Sequence, residues 1–150
     1  LFRSVIMKSL RILFLLLLAA VSCHKLDYPE ADSSNALASL KCFVYYDAEN
    51  MRVYQELDIL NGGTFNQQMG AVNYTFTHEK CTAESLKKCR LEATIPSTAK
   101  LVETDASGNE IAGGIGGMRD LSAAKTTVYF KVVAADGSEK KYQVQFQFNK

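Results

Sequence analysis

Tryptophan is absent, and histidine and proline each occur only twice in 150 residues. Without tryptophan the chain lacks a common plane for stacking sugars, and any such surface falls to the seven tyrosines and eight phenylalanines. Of the two histidines, His24 lies near the N-terminus and His78 stands alone in the rest of the chain, so a Ser-His-Asp arrangement has one candidate base. No Gly-x-Ser-x-Gly elbow accompanies it, and no pair of acidic residues is singled out by spacing. Basic residues are not in surplus: 17 Lys and Arg face 16 Asp and Glu. The cationic face that nucleic acid demands is therefore not expected. Long apolar runs are scarce too. The one clear run, Ile12 to Val21, is about half of what a membrane-spanning helix needs. These absences predict a protein that is not an enzyme, carries no cofactor and binds no nucleic acid.

What is present begins with that short run. Lys8 and Arg11 precede it, and the small residues Ala19, Ala20 and Ser22 follow or end it, the three-part layout of an export signal. Translation is expected to start at Met7. Ala20-Val21-Ser22-Cys23 resembles a lipobox, the processing motif of bacterial lipoproteins, with alanine where that motif usually carries leucine. The resemblance implies cleavage after residue 22 and lipidation of Cys23. Each buried methylene contributes about 0.8 kcal/mol, and two or more chains hold firmly where one holds marginally. Removing residues 1–22 leaves 128 residues with 14 basic and 16 acidic side chains, a formal −2. That length suits one domain with a sizeable core.

Lipidation of Cys23 leaves Cys42, Cys81 and Cys89. Export permits disulfides, but three thiols cannot all pair within one chain. Cys81 and Cys89 are the closest in sequence and form the candidate disulfide; buried unpaired thiols are the alternative. A zinc site from His78 and the three cysteines would need a His-x₂-Cys-x₇-Cys spacing that is not usual for zinc, so no metal is expected. Gly113-Gly114-Ile115-Gly116-Gly117 lacks the Gly-Lys-Ser/Thr ending of a phosphate loop and reads as a glycine-rich bulge or loop.

Residues 23–37 are small and polar without period, which predicts a tether behind the lipidated cysteine. From residue 38 to 150 the period is two. Leu40, Cys42, Val44 and Tyr46 fall on one face, as do Val72, Tyr74, Phe76 and His78. Val53, Leu57 and Ile59 suggest a further strand. Thr82 to Leu86 suggests one helical turn capped by Thr82, and Cys89, Leu91, Ala93 and Ile95 a strand stopped by Pro96. Lys100 to Thr104 is a short strand followed by a turn at 105–109. Val128, Phe130, Val132 and Ala134 alternate up to Asp136-Gly137, and Tyr142, Val144, Phe146 and Phe148 return. Seven or eight short strands predict an all-β sandwich, and no βαβ alternation is visible.

The stretch from Tyr129 to Val144, with its Ala-Ala-Asp-Gly-Ser turn and returning Lys-Tyr-Gln-Val, is similar to the last hairpin of immunoglobulin-like domains in Bacteroidota surface lipoproteins. Asp120-Leu121-Ser122 resembles the segment that introduces this hairpin. Ser85-Leu86-Lys87 and the strand after it resemble an earlier part of the same domains. The similarity spans roughly residues 83–148. It implies an immunoglobulin-like β-sandwich on a lipid-anchored envelope protein, at the outer membrane and on its cell-surface or periplasmic face. It brings no catalytic residues. The expected function is a binding module for an envelope protein or glycan, with Tyr45, Tyr54 or Tyr129 available to stack on a sugar. The alternative is a structural accessory subunit of a transport or assembly complex.

Overall fold

Two strands that return on each other through a tight turn carry the longest pairing among the described residues. In the computed structural model, which describes residues 31–47, 52–79 and 81–149, they are the last two strands, Lys125–Val133 and Glu139–Phe148. Alternation puts Val128, Phe130 and Val132 on the same side as Tyr142, Val144, Phe146 and Phe148, all buried. The turn between them needs a residue at positive φ. Gly137 supplies it at φ 87°, and Ala134 N–H donates to Ser138 O across the turn.

In chain order the strands are β1 (Ser39–Asp47), β2 (Arg52–Asp58), β3 (Thr64–Asn66), β4 (Ala71–Phe76), β5 (Cys89–Thr94), β6 (Lys100–Thr104), β7 (Met118–Arg119), β8 (Lys125–Val133) and β9 (Glu139–Phe148). They form a four-stranded sheet ordered β2-β1-β5-β7 and a five-stranded sheet ordered β3-β4-β9-β8-β6. Cys42, Val44 and Leu91 of the first sheet pack on Val72, Phe76, Phe130 and Phe146 of the second in one apolar core. The fold is an all-β sandwich. It has nine strands among the described residues rather than seven or eight, because β3 and β7 are too short to show a period in sequence. All pairings are antiparallel except β4 with β9.

Local chemistry explains the departures from simple alternation. Ile59 does not continue β2; it begins a single helical turn, α1 (Ile59–Gly62), whose N-cap Asp58 accepts from Asn61 N–H at 3.0 Å. Thr82 and Ser85 cap each other reciprocally ahead of a 3₁₀ turn at Ser85–Lys87: Ser85 N–H donates to Thr82 Oγ1 at 3.2 Å and Thr82 N–H to Ser85 Oγ at 3.0 Å. Gly70 lies where β3 turns into β4, at φ 64°. A side chain there would meet Lys141 O at 2.1 Å, so only glycine lets β4 lie beside β9. His78 leaves the pattern of β4, exposed, with its ring 5.0 Å from that of Phe148.

The domain takes hold of the chain earlier than residue 38. Asp136 N–H donates to Asp32 O, and Thr98 Oγ1 donates to the Asp32 carboxylate at 2.7 Å. Leu37 is buried in the core cluster. Its N–H donates to the Tyr142 hydroxyl at 2.9 Å, and that hydroxyl donates to Asn35 O at 3.1 Å. Residues 32–37 thus form a strap on the β8–β9 hairpin, and the expected tether gives up its last residues to the domain. The leader and Cys23 lie outside the described residues. Among the described residues no helix is long and apolar enough to cross a membrane.

At the far edge of the sandwich, Arg119 of β7 reaches across to Glu103 of β6 in a two-pronged ion pair, both contacts at 3.1 Å. The same guanidinium donates to Ile115 O at 2.7 Å, which fixes the glycine-rich loop, and Ile115 itself is a buried plug. The two sheets are therefore joined at this edge by charge as well as by apolar contact.

Candidate functional site

The pairing of β1 with β2 slips twice near one end. Val44 pairs with Gln55, the next pair is Tyr45 with Val53, and the next is Asp47 with Arg52. Tyr54 is left over on β2 and Tyr46 on β1, one residue from each strand in consecutive steps. A bulge leaves its extra residue unpaired, sharpens the local twist and re-aims a side chain. Here the result is two tyrosines with their surfaces in solvent, Tyr46 at 59 % and Tyr54 at 60 % exposure. For a residue type that usually hides most of its ring, this is a large display.

Tyr46 and Tyr54 border a hollow of about 390 Å³, also lined by Tyr45, Thr82, Glu84, Ser85 and Lys88. Tyr45 is buried and forms the floor, and its N–H donates to Lys88 O at 2.9 Å, which ties the strand to the opposite wall. The hydroxyls of Thr82 and Ser85 are engaged with the backbone of the capped turn, so that wall is stiff. Glu84 accepts from Lys87 Nζ at 2.8 Å, an ion pair that holds its carboxyl below the usual range. Lys88 also lines the hollow; among the described residues it makes no ion pair within contact distance, and its charge adds to that of Lys87 in lowering Glu84.

Of the tyrosines expected to stack, Tyr54 is exposed at the rim of the hollow. Tyr45 is not, because it lies beneath the surface. Tyr129 is half-buried on the outer face of β8, over a smaller polar hollow of about 190 Å³ shared with Lys131, Glu139 and Lys141. Tyr46 and Lys88 were not singled out by sequence. The alternation of β1 assigns Tyr46 to the core, and only the double slip in register reverses it.

The thiols form no site of this kind. Cys42, Cys81 and Cys89 are all buried, and Cys89 remains a thiol whose Sγ donates to Leu86 O at 3.3 Å. In the structure Cys89 is a thiol, so the candidate Cys81–Cys89 disulfide is absent from it and the alternative of buried thiols describes Cys89. Cys89 is committed to the loop before β5, while Cys81 Sγ lies 3.9 Å from Gln55 Oε1. The hydrogen bond with Cys89, and then burial, push the Cys42 thiol well up. Among the described residues no group of three or more His, Cys, Asp or Glu is placed to hold a metal ion. In the glycine-rich loop, Gly113 and Gly114 have positive φ, and the loop leads into β7 rather than into a helix.

The hollow and the strap occupy opposite ends of the sandwich. Ser39, at the start of β1, pairs with Thr94 next to the strap, whereas Val44 pairs with Cys89 next to the hollow. β1 has nine residues and spans about 27 Å at 3.4 Å per residue.

No family model matches the chain, and no curated protein matches it. Among solved structures the chain is similar to a candidate secreted protein from Bacteroides fragilis, with 16 % identity over 78 % of this chain and 97 % of that one and a TM-score of 0.45.

Proposed function

We propose that this protein is a lipid-anchored envelope binding module, attached through Cys23 and presenting the Tyr46–Tyr54 hollow to an envelope protein or glycan. The observation that carries the reading is the pair of consecutive bulges. Two bulges in a row forfeit ladder hydrogen bonds, and what they achieve is the exposure of two aromatic rings over a stiff polar wall. Exposed aromatic residues of this kind are enriched where proteins make contacts. The position of the hollow supports the same reading. The strap, where the described chain begins, and the hollow lie at opposite ends of β1. The lipobox-like sequence and the hairpin similarity supply the anchor and the outer-membrane setting.

Two measurements test the two halves separately. In cells, Cys23→Ala is expected to give an unprocessed or soluble protein; recovery of a processed protein with the membrane fraction would refute the anchor. For the site, detergent-extracted full chain is expected to co-sediment with purified envelope fragments, and Tyr46→Ala with Tyr54→Ala is expected to abolish this without lowering the melting temperature by more than a few degrees. Undiminished co-sedimentation of the double variant would rule out the hollow as the site. Constant co-purification with an envelope transport or assembly complex, unaffected by the double variant, would favour the accessory-subunit alternative.

A further inference from the structure

We infer that the outer face of the five-stranded sheet, from β3 across to β8, is a second binding site, separate from the Tyr46–Tyr54 hollow, and that it takes a neutral oligosaccharide. Strand register assembles this face. Thr64, Asn73, Gln145 and Thr127 lie side by side across β3, β4, β9 and β8, and Asn66, Ala71, Gln143 and Tyr129 form the next row. Alternation turns both rows away from the core, since the intervening Val72, Tyr74, Val144, Phe146 and Val128 are buried. Every one of these positions except Ala71 carries an amide or a hydroxyl, and none carries a charge. Along β8 and β9 charge returns only past the two rows, with Lys131 opposite Lys141 at one end and Lys125 at the other, and Lys131 is held by Glu139 and Glu110.

Solvation alone does not ask for such a face, and the other side of the sandwich shows what this chain otherwise presents to water. Across β2, β1 and β5, Lys41 stands between Asp58 and Glu92, and in the next row Phe43 stands between Glu56 and Arg90. Phe43 is the one uncharged position in those two rows. The same sequence therefore crowds opposite charges onto one outer face and keeps them off the centre of the other.

The chemistry of the face selects its occupant. Amides and hydroxyls both donate and accept, as the hydroxyls of a sugar do. An ionised ligand would give up water without meeting a counter-charge within the two rows, and nucleic acid needs cations under its phosphates. A protein partner or a second copy fits poorly. At about 4.8 Å between strands and about 6.8 Å between rows, the two rows cover roughly 250 Å², against about 800 Å² per partner in a stable interface. Their centre, at Asn73, Gln143 and Gln145, offers amides where such interfaces place apolar and aromatic anchors. Among the described residues these three amides make no hydrogen bond to another side chain or to the backbone, so a ligand has none to break.

The test is nuclear magnetic resonance titration of isotope-labelled full chain in detergent with maltotetraose, cellotetraose and mannotetraose, and separately with the acidic tetragalacturonate. At least one neutral sugar is expected to bind with a Kd of about 1 mM or tighter and to move the side-chain amide signals of Asn73, Gln143 and Gln145. The isosteric variants Asn73→Asp and Gln145→Glu each exchange an amide donor for a charge. Each is expected to weaken that sugar about tenfold, with the melting temperature changed by no more than a few degrees. The inference is overturned if no neutral sugar binds, if tetragalacturonate binds more tightly than all of them, or if either variant binds as the parent does. Signal changes centred on Tyr46 and Tyr54 would also overturn it, and would make the hollow the sugar site. Envelope co-sedimentation that depends on Tyr46 and Tyr54 reports on the hollow alone, so the two readings fail separately.

Discussion

Replacing Tyr142 by phenylalanine removes one oxygen and should release the strap. The ring itself is secured: it is buried and stacks on Phe130 at 5.2 Å with planes 18° apart, contacts that phenylalanine retains. The hydroxyl alone accepts from Leu37 N–H and donates to Asn35 O. In the variant the Leu37 amide loses its partner in a buried setting, and leaving such a group unsatisfied costs about 1–3 kcal/mol. The Asn35 carbonyl is nearer solvent and can turn to water, so its loss adds little. The cost can be met by unfastening residues 32–37 instead of straining the sandwich, and this would also expose Leu37. Hydrogen exchange of the Leu37 amide should then accelerate about 5- to 150-fold, with the amides of β8 and β9 changing much less. Equilibrium unfolding in urea should fall by about 1–2 kcal/mol with little change in slope. Unchanged exchange at Leu37 would refute the assignment of Tyr142 as the clasp. Equal acceleration throughout β9 would show that the hydroxyl serves the whole sheet and not the strap.

Glu103→Gln breaks the fork with Arg119 and should cost about 2 kcal/mol in urea unfolding, below the 3–5 kcal/mol of a fully buried pair because 16 % and 13 % of the two side chains remain in solvent; a loss under 0.5 kcal/mol would show the pair to be idle. Raising the pH should destabilise the protein. The folded state holds the Cys42 proton more tightly than the unfolded state, so this contribution is fully present below the ordinary thiol value of 9.0 and declines above it, by about 1.4 kcal/mol per pH unit. Burial raises Tyr74 and Tyr142 above 10.0 and steepens the decline there; a stability that stays flat from pH 8 to 10.5, or no gain in alkaline resistance for Cys42→Ala relative to its own neutral value, would contradict this. Gly137→Val should cost about 1–2 kcal/mol through its φ of 87° alone, since no atom lies within 4 Å of the position a Cβ would take, and an unchanged melting temperature would exclude that conformation in solution.

The parts of the fold legible in the sequence are those where one local rule acts without interference. β8 and β9 alternate cleanly over a full turn's length on each side of Asp136-Gly137, and both rules agree. The helical turn after Thr82 is legible because the Thr82–Ser85 exchange joins residues three apart, although the cap position itself falls on Glu84. β2 was harder, since Val53 and Ile59 look like members of one buried face. Val53 is turned outward by the bulges, and Ile59 reaches the core from a helical turn. The parallel neighbourhood of β4 and β9 is a long-range choice, and its one local trace is Gly70. The hollow was half legible: Tyr54 was marked as a candidate, but a register slip is a property of two strands together, and no period within either strand records it.

β1 carries Tyr45 and Tyr46 at one end and runs directly into the strap at the other. A pull between the strap and Tyr46 therefore runs through this one strand. β1 lies inside its sheet, between β2 and β5. Tension in that direction loads its hydrogen bonds to both neighbours at once, in shear, and cannot open them one after another like a zip. The strand that borders the hollow is also the member best placed to bear such a load.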